Sequence, residues 1–227
     1  MRPLLLVRRF PYVAFAVAVV AAAVPTRAAV SAPDVGEVVR KLQSRYESTA
    51  DFTADFAQQV EVKTLDQKLE SRGKVYFKRP GRMRWEYLQP ERQTIVADGT
   101  TLWIHQPDHN QVLKAPFRLA FRSSMPVSFL FGMGELTRDF AASIDAADGA
   151  TVRLRLEPKE AESEIGLLVL TVDAATYDIR AADVTDPLGN VTRLEFSNIR
   201  RGVGLGDAEF VFRVPDGADV VEAPPSP

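Results

Sequence analysis

GKVYFKRPGRMRWEYLQP, residues 73–90, is the stretch of sequence that decides the fold. Large apolar side chains fall on alternate positions on both sides of Pro80 and Gly81, which predicts two strands joined by a tight turn. Each strand then sends a row of apolar side chains to one face. Four cationic residues crowd the turn, namely Lys78, Arg79, Arg82 and Arg84. An apolar face beside a cationic turn fits a site for a ligand with an apolar body and a polar end, and it fits an ordinary buried sheet face equally well.

The first residues predict an export signal. Arg2, Arg8 and Arg9 precede an uncharged run over 10–24, and small residues follow it. The run is shorter than the roughly 20 residues that span a bilayer. We therefore expect a cleaved signal peptide over 1–28 and one domain over 29–227, with a frayed acidic, proline-rich tail from about residue 215.

Composition argues against a protein that depends on disulfides or thiol chemistry and against a nucleic-acid-binding protein. The chain has no cysteine, so neither disulfides nor thiol chemistry are available to it. Its formal net charge of −2 becomes −6 once the four arginines of the signal segment are removed, and this balance argues against nucleic-acid binding.

The hydrophobic pattern beyond the signal predicts one helix followed by many strands. Asp34 is placed to cap a helix whose apolar side chains recur every three or four residues over 35–46. From residue 51 the period changes to two, and short polar linkers favour antiparallel pairing. Besides the two strands of 73–90, we expect strands over 51–60, 93–97, 101–106, 111–115, 140–146, 151–157, 166–173, 179–185, 191–198 and 209–214. This number of short strands in one domain predicts a strongly curved sheet or an open barrel.

The segment between Pro116 and Asp139 breaks this pattern. It is rich in phenylalanine, methionine and leucine, with glycine and proline inside it, which favours one or two short helices. Such a segment fills a core, or it forms a movable cover over an apolar cavity, a role that the adaptable side chains of methionine suit.

Catalytic and metal-binding patterns are weak, so we expect no enzyme, no cofactor and no metal site. His105 and His109 flank a turn without a recognisable nucleophile nearby. Asp183 and Asp186 fall far short of a calcium loop, and a solvated turn is the simpler interpretation. The glycines of GVGLG, residues 202–206, lack the strand and helix of a phosphate cradle and are expected to permit an irregular connection.

Four segments together resemble the LolA family of periplasmic lipoprotein carriers, and their order and spacing are kept from about residue 35 to 221. They are FTADFAQQV at 52–60, GKVYFKRPGRMRWEY at 73–87 followed by QP, IVADGTTLWIHQPDHNQV at 95–112 and FVFRVPDGADVV at 210–221. The resemblance implies a mainly β fold with helices (α+β): an incomplete β-barrel covered by the N-terminal helix and a short mid-chain helical lid.

The same resemblance implies a periplasmic chaperone for acylated lipoproteins. Such a chaperone receives them from an inner-membrane ABC-type releasing complex and passes them to a LolB-like outer-membrane receptor. We also expect a monomer, and the charge balance given above argues against a nucleic-acid partner. An envelope sensor or scaffold that uses the same fold to bind a regulatory partner is the alternative.

By matching position, Arg79 resembles the family arginine that holds the lid closed, with an exposed hairpin arginine as the alternative. Lys78, Arg82 and Arg84 are expected to be solvated or positioned for partners. Ordinary core membership is the alternative for each residue matched to the pocket wall or lid. The matched residues are Phe77, Met83, Trp85, Tyr87, Ile95, Leu102, Ile104, Phe129, Leu130 and Met133.

Overall fold

The computed structural model describes residues 33–117, 136–160 and 165–223. Two α-helices and twelve strands occur in these ranges. The helices are α1 (Val35–Ser48) and α2 (Leu136–Asp139). The strands are β1 (Asp51–Val62), β2 (Gln67–Lys78), β3 (Arg82–Gln89), β4 (Gln93–Asp98), β5 (Thr101–Gln106), β6 (Gln111–Pro116), β7 (Phe140–Ala147), β8 (Thr151–Pro158), β9 (Leu167–Asp173), β10 (Ile179–Thr185), β11 (Val191–Arg201) and β12 (Asp219–Glu222).

All twelve strands belong to one open sheet, in the order β12-β6-β5-β4-β3-β2-β1-β11-β10-β9-β8-β7. Each half is a meander, and the pairing of β1 with β11 joins the two halves. Neighbouring strands are antiparallel except β12, which runs parallel to β6. The predicted mainly β fold with a curved antiparallel sheet is therefore confirmed.

Helix α1 begins where the sequence predicts. The Asp34 carboxylate accepts a hydrogen bond from the Glu37 backbone N–H at 2.7 Å, which satisfies one of the free donors of the first turn. Val38, Val39 and Leu42 form the buried stripe of the helix and pack with the apolar side chains of the sheet in one core. Helix α1 thus covers one face of the sheet.

The end of the chain differs from the prediction. Residues 209–214 do not form a strand, because Asp207–Phe210 is a short 3-10 helix and an irregular segment follows it. Residues 219–222 pair with β6 instead of fraying, with Val220 opposite Val112 and Val221 opposite Leu113. The β-branched pair Val220-Val221 supplies backbone partners for the edge of β6, which an exposed edge strand otherwise leaves unpaired.

The segment before β12 packs on the opposite side of the sheet from α1. We call residues 202–212 the C-terminal strap. Its 3-10 helix contacts β3 and β4, and Phe210 is 1% exposed. Phe212 stacks on Trp103 with ring centroids 5.5 Å apart. The strap therefore covers a second, smaller apolar surface on the outer side of the first half of the sheet.

Candidate functional site

The β2–β3 hairpin sends its large apolar side chains to one face, as its alternation predicts. Phe77 lies opposite Met83 and Val75 lies opposite Trp85 in the strand register. These four side chains are 0–2% exposed. We call the face that carries them the inner face, and it is the face that α1 covers.

The inner face continues across β4 and β5. Ile95 lies between Trp85 on β3 and Ile104 on β5, and Ala97 lies opposite Leu102. Ile95 and Leu102 are each 5% exposed, and Ile104 is half-buried against the same core. The structure therefore brings together the seven predicted wall residues that it describes, Tyr87 included.

The inner face also includes aromatic residues that the site prediction omitted. The Phe56 ring lies edge-on to Trp85 at 4.8 Å and to Tyr87 at 5.0 Å between centroids. Phe52 lies 5.3 Å from Phe77, and Phe196 lies 6.3 Å from Trp85. Edge-to-face contacts of this kind add stability beyond area burial. The period of two in β1 and β11 was the signal that would have included these three phenylalanines.

The second half of the sheet completes the inner face with aliphatic side chains, which the site prediction also omitted. All of them are at most 3% exposed, and they belong to the same core cluster as Trp85: Leu154, Leu156, Leu168, Leu170, Ala182, Val184 and Leu194. The apolar surface therefore extends across both halves of the sheet, from β5 to β8.

Gly73 gives the Phe56 ring its place on the inner face. A Cβ on Gly73 would lie 1.9 Å from the Glu86 carbonyl oxygen and 2.7 Å from Cε1 of Phe56. Both distances are below van der Waals contact, and the nearer atom belongs to the backbone. Only glycine fits this position while the ring lies across β2.

Two side chains of β3 bring polar groups into this apolar face, and only one of these groups has a hydrogen-bond partner among the described residues. Tyr87 Oη donates to Gln58 Oε1 at 2.9 Å, and burial raises the pKa of Tyr87 to about 12, so the phenol stays protonated at neutral pH. Trp85 Nε1, by contrast, is buried and has no hydrogen-bond acceptor among the described residues.

Arg79 lies at the end of the hairpin. It follows Val75 and Phe77 in the alternation of inner-face positions, directly after the last residue of β2. Its backbone N–H donates to the Ala50 carbonyl at 2.9 Å. Its Nε atom is buried and has no hydrogen-bond partner in the ranges that the structure describes. The latch role of Arg79 stays a prediction.

The other three cations of the turn contact the strap, whereas the sequence predicted that they are solvated or positioned for partners. Lys78 Nζ donates to the Leu205 carbonyl at 2.7 Å and to Asp207 Oδ1 at 2.6 Å. Arg82 contacts the same carboxylate at 3.2 Å. Arg84 donates to Glu86 on its own strand, and its Nη1 lies 3.4 Å from a strap carbonyl, that of Glu209. Alternation along β2 and β3 turns these side chains to the outer face, where the strap lies.

The GVGLG segment has a role that its glycines alone did not reveal. The buried carboxylate of Asp51 accepts hydrogen bonds from the backbone N–H groups of Val203, Gly204 and Leu205 at 2.7–3.2 Å. Convergent backbone N–H groups form an anion-binding nest. Here a carboxylate of the same chain fills the nest and ties the strap to the start of β1.

The predicted lid residues Phe129, Leu130 and Met133 lie outside the described residues. The segment that follows them begins with α2, where Leu136 is 2% exposed and belongs to the core. The Leu136 N–H donates to Gln43 Oε1 of α1 at 3.4 Å. The end of the mid-chain segment therefore docks against the helix that covers the inner face.

The polar residues considered for other chemistry have structural partners. His105 lies near the end of β5, before the turn at Pro107–His109, and its ring is 5.7 Å from that of Phe212. Asp183 pairs with Arg193 at 2.8 Å, and Asp186 accepts hydrogen bonds from Asn190. Over residues 33–117, 136–160 and 165–223, no group of three or more His, Asp or Glu side chains is placed to hold a metal ion.

A groove of about 690 Å³ lies on the outer face, where β10, β11, β1 and β2 run side by side. Its charged lining residues are Asp55, Arg72, Lys74, Arg180 and Glu195. The charge of this groove distinguishes it from the apolar inner face. In the part of the chain that the structure covers, no helix is long and apolar enough to span a membrane.

Fold and site together define a class of protein: a binding protein whose open β-sheet presents a wide apolar face under a helical cover. Comparison with known proteins gives the family. Residues 47–213 match the family model of the outer membrane lipoprotein carrier protein LolA, and the chain belongs to this family.

Relatives support the assignment over most of the chain. The outer-membrane lipoprotein carrier protein of Methylobacillus flagellatus is 31% identical over 183 residues, which cover 81% of this chain and 88% of the relative. That of Chromobacterium violaceum is 32% identical over 86% of this chain and 92% of its own length. The crystal structure of an uncharacterized conserved protein from Thermus thermophilus shares the fold, with a TM-score of 0.54 at 15% identity, over 83% of this chain and 98% of that one.

Proposed function

We propose that this chain is a periplasmic carrier that binds the acyl chains of lipoproteins and takes them from the inner to the outer membrane. The observation that carries the proposal is the apolar inner face, which runs through both halves of the sheet beneath α1. Burying on the order of 400 Å² of acyl surface would contribute roughly 10 kcal/mol before the costs of association. The match to the lipoprotein carrier family supports the same function.

The proposed binding face is closed in this structure. Phe77 and Met83 are 0% exposed and Trp85 is 2% exposed. An acyl chain reaches these side chains only when the cover moves, so loading exchanges contacts with the cover for contacts with cargo. This exchange makes release possible. When the acyl chain leaves, the cover closes over the apolar surface and restores the apolar contacts that the chain had made.

Arg79 is proposed to hold the cover in the closed state. A guanidinium group carries five donors and can satisfy several free carbonyl groups at a helix end at once. The position of Arg79 directly after β2, in the row of inner-face side chains, supports this role. Loading would then displace the arginine, and unloading would restore it.

The route and the partners follow from the proposed function. Residues 1–28 direct export and are removed, and residues 29–227 act as one carrier domain. An ABC-type releasing complex of the inner membrane loads the carrier, and a LolB-like receptor of the outer membrane accepts the cargo. The carrier works as a monomer, and binding and release require no catalytic group.

The test is a binding measurement with an acylated lipoprotein and the same protein without its acyl chains. We expect the exported form of this chain to bind the acylated form and to leave the other free, as measured by co-purification and calorimetry. Equal binding of both forms would contradict the proposal. Depletion in cells separates the alternative, because a sensor or scaffold would leave lipoprotein sorting normal and alter stress signalling.

A further inference from the structure

The indole N–H of Trp85 is a buried donor that has no acceptor within residues 33–117, 136–160 and 165–223. Trp85 is among the largest fully buried side chains, and no described residue accepts a hydrogen bond from its Nε1 atom. Buried tryptophan N–H groups usually find a partner. An unpaired buried donor carries a desolvation penalty that natural interiors avoid at roughly nine positions in ten or more.

Two neutral polar side chains packed against the same core are satisfied, and the other buried side-chain atoms without a hydrogen-bond partner in the described ranges are the guanidinium atoms Arg45 Nε and Arg79 Nε. The Tyr87 hydroxyl donates to Gln58 Oε1 at 2.9 Å. The Tyr46 hydroxyl of α1 accepts from the Ile179 N–H at 3.1 Å. Among the described residues, the indole N–H of Trp85 is therefore the neutral buried side-chain donor without a partner, and it lies on the proposed binding face.

The ring of Phe56 provides a competing explanation. Its centroid lies 4.8 Å from that of Trp85 at an angle of 61°. This geometry allows a weak contact between an N–H group and an aromatic face. Such a contact would satisfy the indole N–H in the empty protein. Binding affinity would then be the same for chains with and without a carbonyl group.

We infer that Trp85 Nε1 donates a hydrogen bond to the carbonyl oxygen of an ester- or amide-linked acyl chain when cargo is bound. The inference rests on the proposed carrier function and adds a specificity-determining residue to it. An acyl chain differs from an alkyl chain by this one acceptor. The neighbours Phe77, Met83 and Ile95 supply apolar contacts that accept either chain, whereas the indole N–H gains a partner only from the carbonyl.

The test replaces the N–H group and leaves the shape unchanged. Site-specific incorporation of β-(3-benzothienyl)alanine at position 85 substitutes sulfur for N–H in a ring of nearly the same size. The same replacement at Trp103, the other tryptophan of the chain, is the matched control, because that ring lies on the outer face against Phe212. The probes are palmitoyl glycerol and its hexadecyl ether, which differ at the carbonyl group.

We expect the parent chain to bind the ester about threefold to tenfold more tightly than the ether, the value of one hydrogen bond between neutral groups. The position-85 replacement should remove this preference by weakening ester binding alone, and the position-103 replacement should retain it. Thermal unfolding of each variant establishes that it is folded, and Trp85→Phe provides a second chain without the N–H group.

Two other outcomes would contradict the inference, and they differ in whether the proposed function also fails. Equal affinity of the parent chain for ester and ether, or a preference that survives both replacements at position 85, would overturn the inference and leave the carrier function intact. A parent chain that binds neither probe and no acylated lipoprotein would overturn the proposed function and the inference with it.

Discussion

The packing of aromatic side chains on the inner face depends on the absence of a side chain at Gly73. Its hydrogen faces the Glu86 carbonyl and the Phe56 ring at distances that exclude a methyl group. Phe56 in turn contacts Trp85 and Tyr87. A change at Gly73 is therefore transmitted to the aromatic side chains at the centre of the proposed site.

Gly73→Ala is expected to lower the free energy of unfolding by about 2–4 kcal/mol, because the added methyl group must displace backbone or the Phe56 ring. Urea unfolding followed by circular dichroism measures the loss. Gly206→Ala is the matched control, since a Cβ there meets nothing within 4 Å, and it should change stability by less than about 0.5 kcal/mol. Equal effects of the two substitutions would show that the close approach at Gly73 does not matter.

Arg79→Leu is expected to load cargo normally and to release it about tenfold more slowly, since hydrogen bonds to a charged group contribute roughly 1.5–3 kcal/mol and 1.4 kcal/mol is a factor of ten. In the proposed latch the guanidinium group stabilises the closed, empty state, and the substitution removes this stabilisation. The measurement is the transfer of a fluorescent acylated lipopeptide to phosphatidylethanolamine vesicles. Arg92→Leu, at an exposed arginine between β3 and β4, is the control. Transfer by Arg79→Leu at the parent rate would exclude the latch.

At the scale of elements, the strap connects parts of the chain that are far apart in sequence. The Asp51 carboxylate accepts hydrogen bonds from backbone N–H groups of the strap, and Lys78 and Arg82 form ion pairs with Asp207 of the strap. The Lys78 hydrogen bond lowers the pKa of Asp207, so these contacts persist at mildly acidic pH. The strap thus fastens the outer face of the hairpin whose inner face forms the proposed site.

Phe210→Ala is expected to destabilise the chain by about 3–4 kcal/mol, because the ring is buried between the strap and the sheet. Val211→Ala, at a side chain that is 56% exposed, should cost less than about 0.5 kcal/mol. Urea unfolding measures both losses. Because Phe210 lies on the outer face, the folded variant should bind acylated lipopeptide as the parent does; a loss of binding comparable to that of an inner-face variant would contradict this assignment.

At the scale of the whole molecule, the spacing of apolar residues was enough to predict most strands of the sheet, the helix capped by Asp34 and the inner face of the β2–β3 hairpin. The resemblance to the family added the wall residues of β4 and β5. The spacing was not enough for the strap, since Phe210 and Phe212 fit a strand pattern while the glycines of 202–206 turn the segment onto the outer face. The partners of Lys78 and Asp51 lie more than 120 positions away along the chain. Contacts between residues so far apart in sequence are set by tertiary packing, and a local pattern of residues does not predict them.

The two tryptophans of the chain allow the most direct test of the central claim, that acyl chains bind the inner face. Trp85 lies on that face and Trp103 on the outer one, so Trp103→Phe and Trp85→Phe each leave one fluorescent reporter. A lipopeptide with brominated acyl chains is titrated against both variants. We predict that bound cargo quenches the fluorescence of Trp85 and leaves that of Trp103 unchanged. Quenching of Trp103 alone, or of both reporters equally, would contradict the account.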